Sequence, residues 1–368
     1  MKILIDIGHP AHVHLFRHLV KEVGNRGHEV TVTVRDIPAA KQLLSLYNIE
    51  FQDIGGKRDS IFAKMVSQIV YDFRTWRIIR KKKIELGIGS SIVLPHMSVF
   101  TRMKSVVLDD DDDIVEPLFA KFAHPFATLL LSPEALSGKR RRKDTVYYPG
   151  YHELAYLYPG RFTPDRSVLE YAGLKETDTF FVMRFNAFKA HHDLGVRGIS
   201  LDQKLRLIEK LKPLGPVFIT TERDIEPELR EYKLPVPPDK IHSLLYYATL
   251  FIGDSQTMTS EAAVLGTPAL RMNSFAGKIS YLEEEEKRYH LTYSFGPDDF
   301  NALTAQIDEL LAMEELKEVW KRRRDIMLEE RKDPNIFLLW IIENYPESIK
   351  ILKKDPAYFI KSQNGQNG

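Results

Sequence analysis

Lys2-Ile3-Leu4-Ile5-Asp6-Ile7, then Gly8-His9-Pro10-Ala11-His12, then Val13, Phe16, Leu19, Val20 and Val23 at helical spacing, then Glu29-Val30-Thr31-Val32-Thr33-Val34: the fold turns on this stretch. A nearly continuous apolar run gives way to a period of 3.6 and then to alternation, with Gly27 placed to stop the helix. The spacing predicts strand, loop, helix, strand, which is a βαβ unit. Outward from it the alternation continues, with helices near 38–47, 60–82, 91–102 and 115–123 and extended segments at 49–54, 84–88, 105–108 and 127–131. Such alternation favours a parallel sheet covered by helices.

The charged segment Ser137-Gly138-Lys139-Arg140-Arg141-Arg142-Lys143-Asp144, followed by Pro149-Gly150, Pro159-Gly160 and Pro164, marks a crossover between domains. A second series follows, with strands at 179–183, 216–221, 250–253 and 268–272 and helices at 165–172, 200–212, 240–248 and 257–265. Helices are then expected at 278–289 and 298–312, and the chain stays helical to about 353 apart from a break at Pro334. The expected division is 1–160 and 161–335, two Rossmann-like domains, with closing helices over 336–362 and a disordered tail over 363–368. A length of 368 residues suits two such domains.

Composition narrows the chemistry. A formal net charge of +1 argues against a duplex nucleic-acid binder that works by phosphate neutralisation. The absence of cysteine excludes disulfides, thiolate metal sites and Cys nucleophiles, and suits a reducing compartment. The first residues lack the apolar core of a signal peptide, and no apolar stretch approaches the roughly 20 residues that span a bilayer. A cytoplasmic protein is expected. Arg80-Lys81-Lys82-Lys83 and Lys139 to Lys143 read as solvated faces, or alternatively as peripheral contacts with anionic headgroups at the inner face of a membrane.

Four loops carry candidate chemistry. Phe251-Ile252-Gly253-Asp254-Ser255-Gln256-Thr257-Met258-Thr259-Ser260-Glu261 delivers small polar residues to the start of a helix, where unpaired N–H groups and the helix dipole suit a pyrophosphate. Ser255, Thr257 and Thr259 add hydroxyl donors, and Glu261, one turn on, can accept from two ribose hydroxyls. The plain alternative is an ordinary N-cap and a surface glutamate. Gly8-His9-Pro10-Ala11-His12 lies at the carboxyl edge of the first strand, where His12 or His9 can face a ligand, while His14 and His18 read as structural. Arg184, Lys189 and His192, in the loop after the first strand of the second half, can neutralise a leaving diphosphate. Asp109-Asp110-Asp111-Asp112-Asp113 with Glu116 reads as a solvated loop or as the source of a base, with Asp110 and Glu116 the least arbitrary choices. His242 reads as packing a helix or as bordering a nucleotide base.

The Asp254-Ser255, Glu261-Ala262 and Gly266-Thr267-Pro268 elements resemble the donor helix of GT-B glycosyltransferases, and equally that of UDP-N-acetylglucosamine 2-epimerases. The resemblance implies diphosphate contact at Ser255, Gln256, Thr257 and Met258 and ribose contact at Glu261. Two glycines common after the serine are Gln256 and Thr257 here. Gly8 to Val13, with Arg26-Gly27-His28-Glu29-Val30, is similar to the first loop of nucleotide-sugar glycosyltransferases, which places His12 as general base. Over most of its length the chain resembles domain-of-unknown-function family 354 (DUF354). The matching stretches are Ile5 to His14, Tyr148 to Leu157, Arg184-Phe185 with Lys189 to Asp193, and Gln256-Thr257-Met258 with Glu261 to Pro268.

The resemblance implies a GT-B fold, two Rossmann-like doubly wound domains facing a central cleft, with C-terminal helices returning to the first domain. The expected function is a metal-independent glycosyltransferase that takes a UDP-linked or similar nucleotide sugar as substrate, with no separate cofactor. The acceptor would be a glycan, a lipid-linked or a small molecule. The alternatives are a non-hydrolysing UDP-N-acetylglucosamine 2-epimerase-like enzyme and a non-catalytic sugar-nucleotide-binding protein of polysaccharide assembly.

Overall fold

The computed structural model describes residues 1–56, 61–185, 197–221 and 225–364. The chain forms two compact units, Met1–Tyr156 with Arg331–Gly368, and Leu157–Glu330. It leaves the first unit after Tyr156 and comes back to it at Arg331.

The first unit is built on seven strands, β1 (Lys2–Ile7), β2 (Glu29–Asp36), β3 (Gln52–Gly56), β4 (Leu86–Gly89), β5 (Lys104–Leu108), β6 (Leu129–Pro133) and β7 (Val146–Tyr148). Their order is β3-β2-β1-β4-β5-β6-β7, and every neighbouring pair is parallel. The order reverses between β1 and β4, the topological switch at which open α/β sheets bind ligands. Ile3, Leu4, Ile5 and Ile7 of β1 are buried, and the helix Pro10–Asn25 covers the sheet with Val13, Leu15, Phe16, Leu19 and Val23. The helices Pro334–Glu343, Glu347–Lys354 and Tyr358–Asn364 pack within this unit, against the Pro10–Asn25 helix, β6 and β7. The last of them carries regular structure to Asn364.

The second unit holds β8 (Phe181–Arg184), β9 (Val217–Thr220), β10 (Leu250–Gly253), β11 (Ala269–Met272) and β12 (Thr292–Phe295) in the order β12-β11-β10-β8-β9, again all parallel. β10 runs so close to β8 that a Cβ on Gly253 would collide with the Arg184 carbonyl, so glycine is required at the end of this strand. Relative to the spacing in the sequence, the structure adds β7 and β12. Among the described residues no helix is long and apolar enough to cross a membrane.

Candidate active site

The acidic run after β5 is not a solvated loop. Asp109, Asp112 and Asp113 are buried, and so is Arg140, which sits among them. Arg140 Nη1 lies 2.9 Å from Asp109 Oδ2 and 2.8 Å from Asp113 Oδ1. Nη1 also donates to the Asp111 carbonyl, Nη2 donates to the Asp109 carbonyl and Nε to Ser132 Oγ. His124 Nε2 lies 2.7 Å from the same Asp109 oxygen. The basic run is therefore partly structural, since Arg140 turns inward and Arg142 holds Asp144 and the carbonyls of His124 and Ala127. Carboxylate oxygens of Asp109, Asp110 and Asp111 lie within 4.8 Å of one another, a separation a divalent cation can span. Two of the three are already matched, however, Asp109 by Arg140 and His124 and Asp110 by His152. Asp111 is pushed well above the ordinary carboxylate value by burial and by Asp110, Asp109 and Glu116.

Asp110 is the member of the run that pairs with His152. Asp110 Oδ2 lies 3.0 Å from His152 Nδ1. Burial alone would raise the Asp110 carboxyl, but the charge and hydrogen bond of His152 outweigh it and hold the group below its ordinary value. When the ring is neutral, donation of Nδ1–H to the carboxylate leaves the lone pair on Nε2, an atom that is buried with no hydrogen-bond partner. The His152 loop is fixed by the returning chain. Lys332 N–H donates to the Pro149 carbonyl, a Cβ on Gly150 would strike the Lys332 carbonyl, and Asn335 Nδ2 donates to the Ala155 carbonyl. The His152 ring stacks on Tyr148 with an interplanar angle of 8°.

His12 lies close enough to His152 and Asp110 to feel both charges, and has the opposite polarity. The Gly8 N–H donates to His12 Nδ1 at 3.2 Å, which puts the proton of the neutral ring on Nε2. The ring keeps some accessible surface, yet protein atoms crowd it so densely that burial, reinforced by His9 and His152, pushes it down to about 3. In this arrangement His12 presents a hydrogen-bond donor at Nε2 and a weakly basic ring, unlike the general base that the resemblance implies. The Gly8 amide is engaged in this bond and is not open to a ligand. His9 is exposed and caps the Pro10–Asn25 helix, accepting from Ala11 N–H at 3.2 Å. Glu116 is also exposed, at the N-cap of the helix Pro117–Phe122, with Asp109 raising its carboxyl beyond the effect of burial. His14 is structural, buried with its ring on Tyr156 and within 3.3 Å of Tyr47 Oη.

At the carboxyl edge of the second sheet, Ser255 caps the helix Gln256–Leu265, accepting from Met258 N–H at 3.4 Å, and Gly266 ends it at φ +82°. Helix geometry leaves the N–H groups of Gln256 and Thr257 without an intrahelical acceptor, and both residues are partly exposed. Thr259 is fully buried and its hydroxyl donates to the Ser255 carbonyl at 2.6 Å, so it is not the ligand donor expected of it. Glu261 is buried with Oε1 2.9 Å from His242 Nε2, which ties the expected ribose acid to a histidine on the neighbouring helix. Arg184 ends β8 in register with Gly253 and with Thr220, its Nη1 3.5 Å from the Thr220 hydroxyl. Lys189 and His192 lie outside the described residues.

Behind this helix, Ser260 Oγ donates at 2.5 Å to Glu285, a fully buried acid that burial pushes up to about 8. Glu285 therefore keeps its proton in the fold at pH values where the unfolded chain, with an ordinary value of 4.5, has lost it. The unfolded state binds fewer protons in that window, so stability falls as pH rises from 4.5 through about 8. Thermal unfolding across this range is expected to show the slope, at most about 1.4 kcal/mol per pH unit. In Glu285→Gln that part of the slope should be missing.

A family model described as "Protein of unknown function (DUF354)" matches residues 1–293. The chain belongs to that family. The DUF354 chain is 22% identical over 306 residues to uncharacterized protein MJ0665 of Methanocaldococcus jannaschii, covering 79% of this chain and 87% of that one. Among solved structures it is similar to UDP-GlcNAc 2-epimerase from Neisseria meningitidis bound to UDP-GlcNAc, with TM-score 0.66, 13% identity and coverage of 94% and 100%. It is also similar to the spinosyn rhamnosyltransferase SpnG, with TM-score 0.60, 12% identity and coverage of 94% and 100%. The DUF354 chain thus has the GT-B fold, two α/β units with parallel sheets. His152 is the residue that sequence reasoning missed as chemistry. Its signal was the Tyr148-Pro149-Gly150-Tyr151-His152 stretch, which marked the family and was given no role.

Proposed function

We propose that this protein is a glycosyltransferase that takes a nucleotide-activated sugar, UDP-linked in the first instance, and passes the sugar to a hydroxyl acceptor. The carrying observation is the Asp110–His152 pair with its buried, unpartnered Nε2, a carboxylate-oriented imidazole of the kind that accepts a proton from a nucleophile. His152 Nε2 takes the acceptor proton as the new bond to the anomeric carbon forms and the bond from that carbon to the diphosphate oxygen breaks. The nucleoside diphosphate leaves with the electron pair. Arg184 and the N–H groups of Gln256 and Thr257 stabilise its charge, and Glu261, fixed by His242, holds the ribose. His12 donates from Nε2 to an oxygen of the bound sugar or acceptor. Similarity to structures that carry UDP-GlcNAc and thymidine diphosphate supports a nucleotide-sugar ligand.

Two experiments test this. UDP and UDP-sugars should raise the melting temperature, since a ligand at about 100 times its Kd stabilises the native state by about 2.7 kcal/mol. Glu261→Gln keeps the shape but weakens the ribose contact, so the shift should shrink at equal ligand concentration. No shift with any nucleotide sugar would sink the proposal. The epimerase alternative is favoured by the same fold similarity. Incubation with UDP-GlcNAc and no acceptor decides between them, because formation of the 2-epimer would replace transfer with epimerisation.

A further inference from the structure

The helix Ile61–Lys82 meets the core of the first unit through Tyr71, Thr75 and Ile79, all buried. Its opposite face ought to be polar, and it is not. Ile69 is 68% exposed and Phe73 56%, and Val70 and Trp76 are exposed beside them. Positions 69, 73, 76 and 80 fall on one helical stripe. Arg74, Arg77, Arg80 and Lys81 are exposed among these side chains, and the Arg80 guanidinium lies 5.7 Å from the Trp76 ring centre. From Ser67 to Lys83 the one carboxylate is Asp72, held by Gln68 and by His96 at 3.1 Å.

The apolar surface continues onto the neighbouring elements. The helix Val93–Phe100 packs on the helix Ile61–Lys82 and ends in Phe100, 72% exposed. Ser98 Oγ and His96 Nε2 reach the carbonyls of Phe126 and Phe122, whose rings are also exposed. Lys121 lies 5.5 Å from the Phe122 ring centre. An apolar patch spread over three elements marks an interaction site, and cations of one sign around it select an anionic partner. A protein interface would be depleted in lysine at such a patch, whereas aromatic and aliphatic side chains interleaved with Arg and Lys on one helix are the pattern of an interfacial helix.

We propose that this face of the first unit docks on an anionic lipid surface. Ile69, Phe73, Trp76 and Phe100 enter the headgroup boundary, and Arg77, Arg80 and Lys81 meet lipid phosphates. The docking is independent of the sugar-nucleotide assignment. The test is co-sedimentation of the full chain with phosphatidylcholine vesicles with and without phosphatidylglycerol. Binding is expected only to the mixed vesicles and should weaken with salt. Arg77→Glu/Arg80→Glu should lose about fivefold in affinity per cation removed, before counting the added repulsion. Phe73→Ser/Phe100→Ser alters only exposed positions, and should release the protein while circular dichroism stays unchanged. The proposal is overturned by no binding to mixed vesicles, by equal binding to neutral ones, or by self-association in solution that Phe73→Ser/Phe100→Ser abolishes. Equal or tighter binding of a single-stranded oligonucleotide to the same face would also assign it to another partner.

Discussion

His152→Ala is expected to lower the rate of nucleoside diphosphate release from a UDP-sugar by about 10²- to 10⁴-fold, the range over which a positioned general base acts. The proposed nucleotide contacts are residues of the second unit, so the thermal shift with UDP should be unchanged. Asp110→Asn should approach the same loss by another route. The amide no longer demands a proton on Nδ1, so the ring can turn its lone pair toward residue 110 and present N–H where a base is needed. The pH profile separates this role from simple support of the loop. An acid limb in kcat/KM set by the general base should disappear in the His152→Ala residual activity, whereas a packing defect would scale the whole profile. His12→Asn retains a donor and should cost less. Loss of activity in His12→Asn with full activity in His152→Ala would return the base to His12.

The sequence showed most of the fold because the alternating units announce themselves locally. β1 and β2 are written in the change of period from Lys2 to Val34, and the donor helix in Ser255 and Gly266 at its two ends. β7 and β12 escaped because they are edge strands of only three and four residues, without the long apolar run of a strand buried on both faces. The site was legible as residue types and not as pairings. Five consecutive acids look alike on paper, and only the fold shows that Asp109 and Asp113 meet Arg140 while Asp110 meets His152. The histidines were ranked by their nearness to β1, yet tautomer decides their chemistry, and tautomer depends on the Gly8 N–H for His12 and the Asp110 carboxylate for His152. Thr259 is different, since a threonine hydroxyl inside a helix commonly bonds the carbonyl four residues back, and Ser255 occupies that position.

Arg140→Met should destabilise the first unit by about 3–5 kcal/mol, the cost of removing one partner from a buried ion pair. Methionine fills much of the same volume, so the loss measures uncompensated charge more than a cavity. It leaves the Asp113 carboxylate with the Arg141 amide and a distant His124, and it strips the carbonyls of Asp109 and Asp111 of their donor. In a unit of this size each kcal/mol moves the midpoint by about 2–4 °C, so calorimetry should show a fall of the order of 10 °C in the transition of the first unit. Arg140→Lys keeps the charge but cannot reach two carboxylates and two carbonyls at once, and should fall between. The added change Asp113→Asn should recover part of the loss in the Met background, because one of the stranded charges is then gone. Activity should fall together with stability, since Arg140 holds the loop from which Asp110 reaches His152. An unchanged midpoint in Arg140→Met would mean that the acids are solvated after all, and Asp110 would then have no rigid base from which to orient the imidazole.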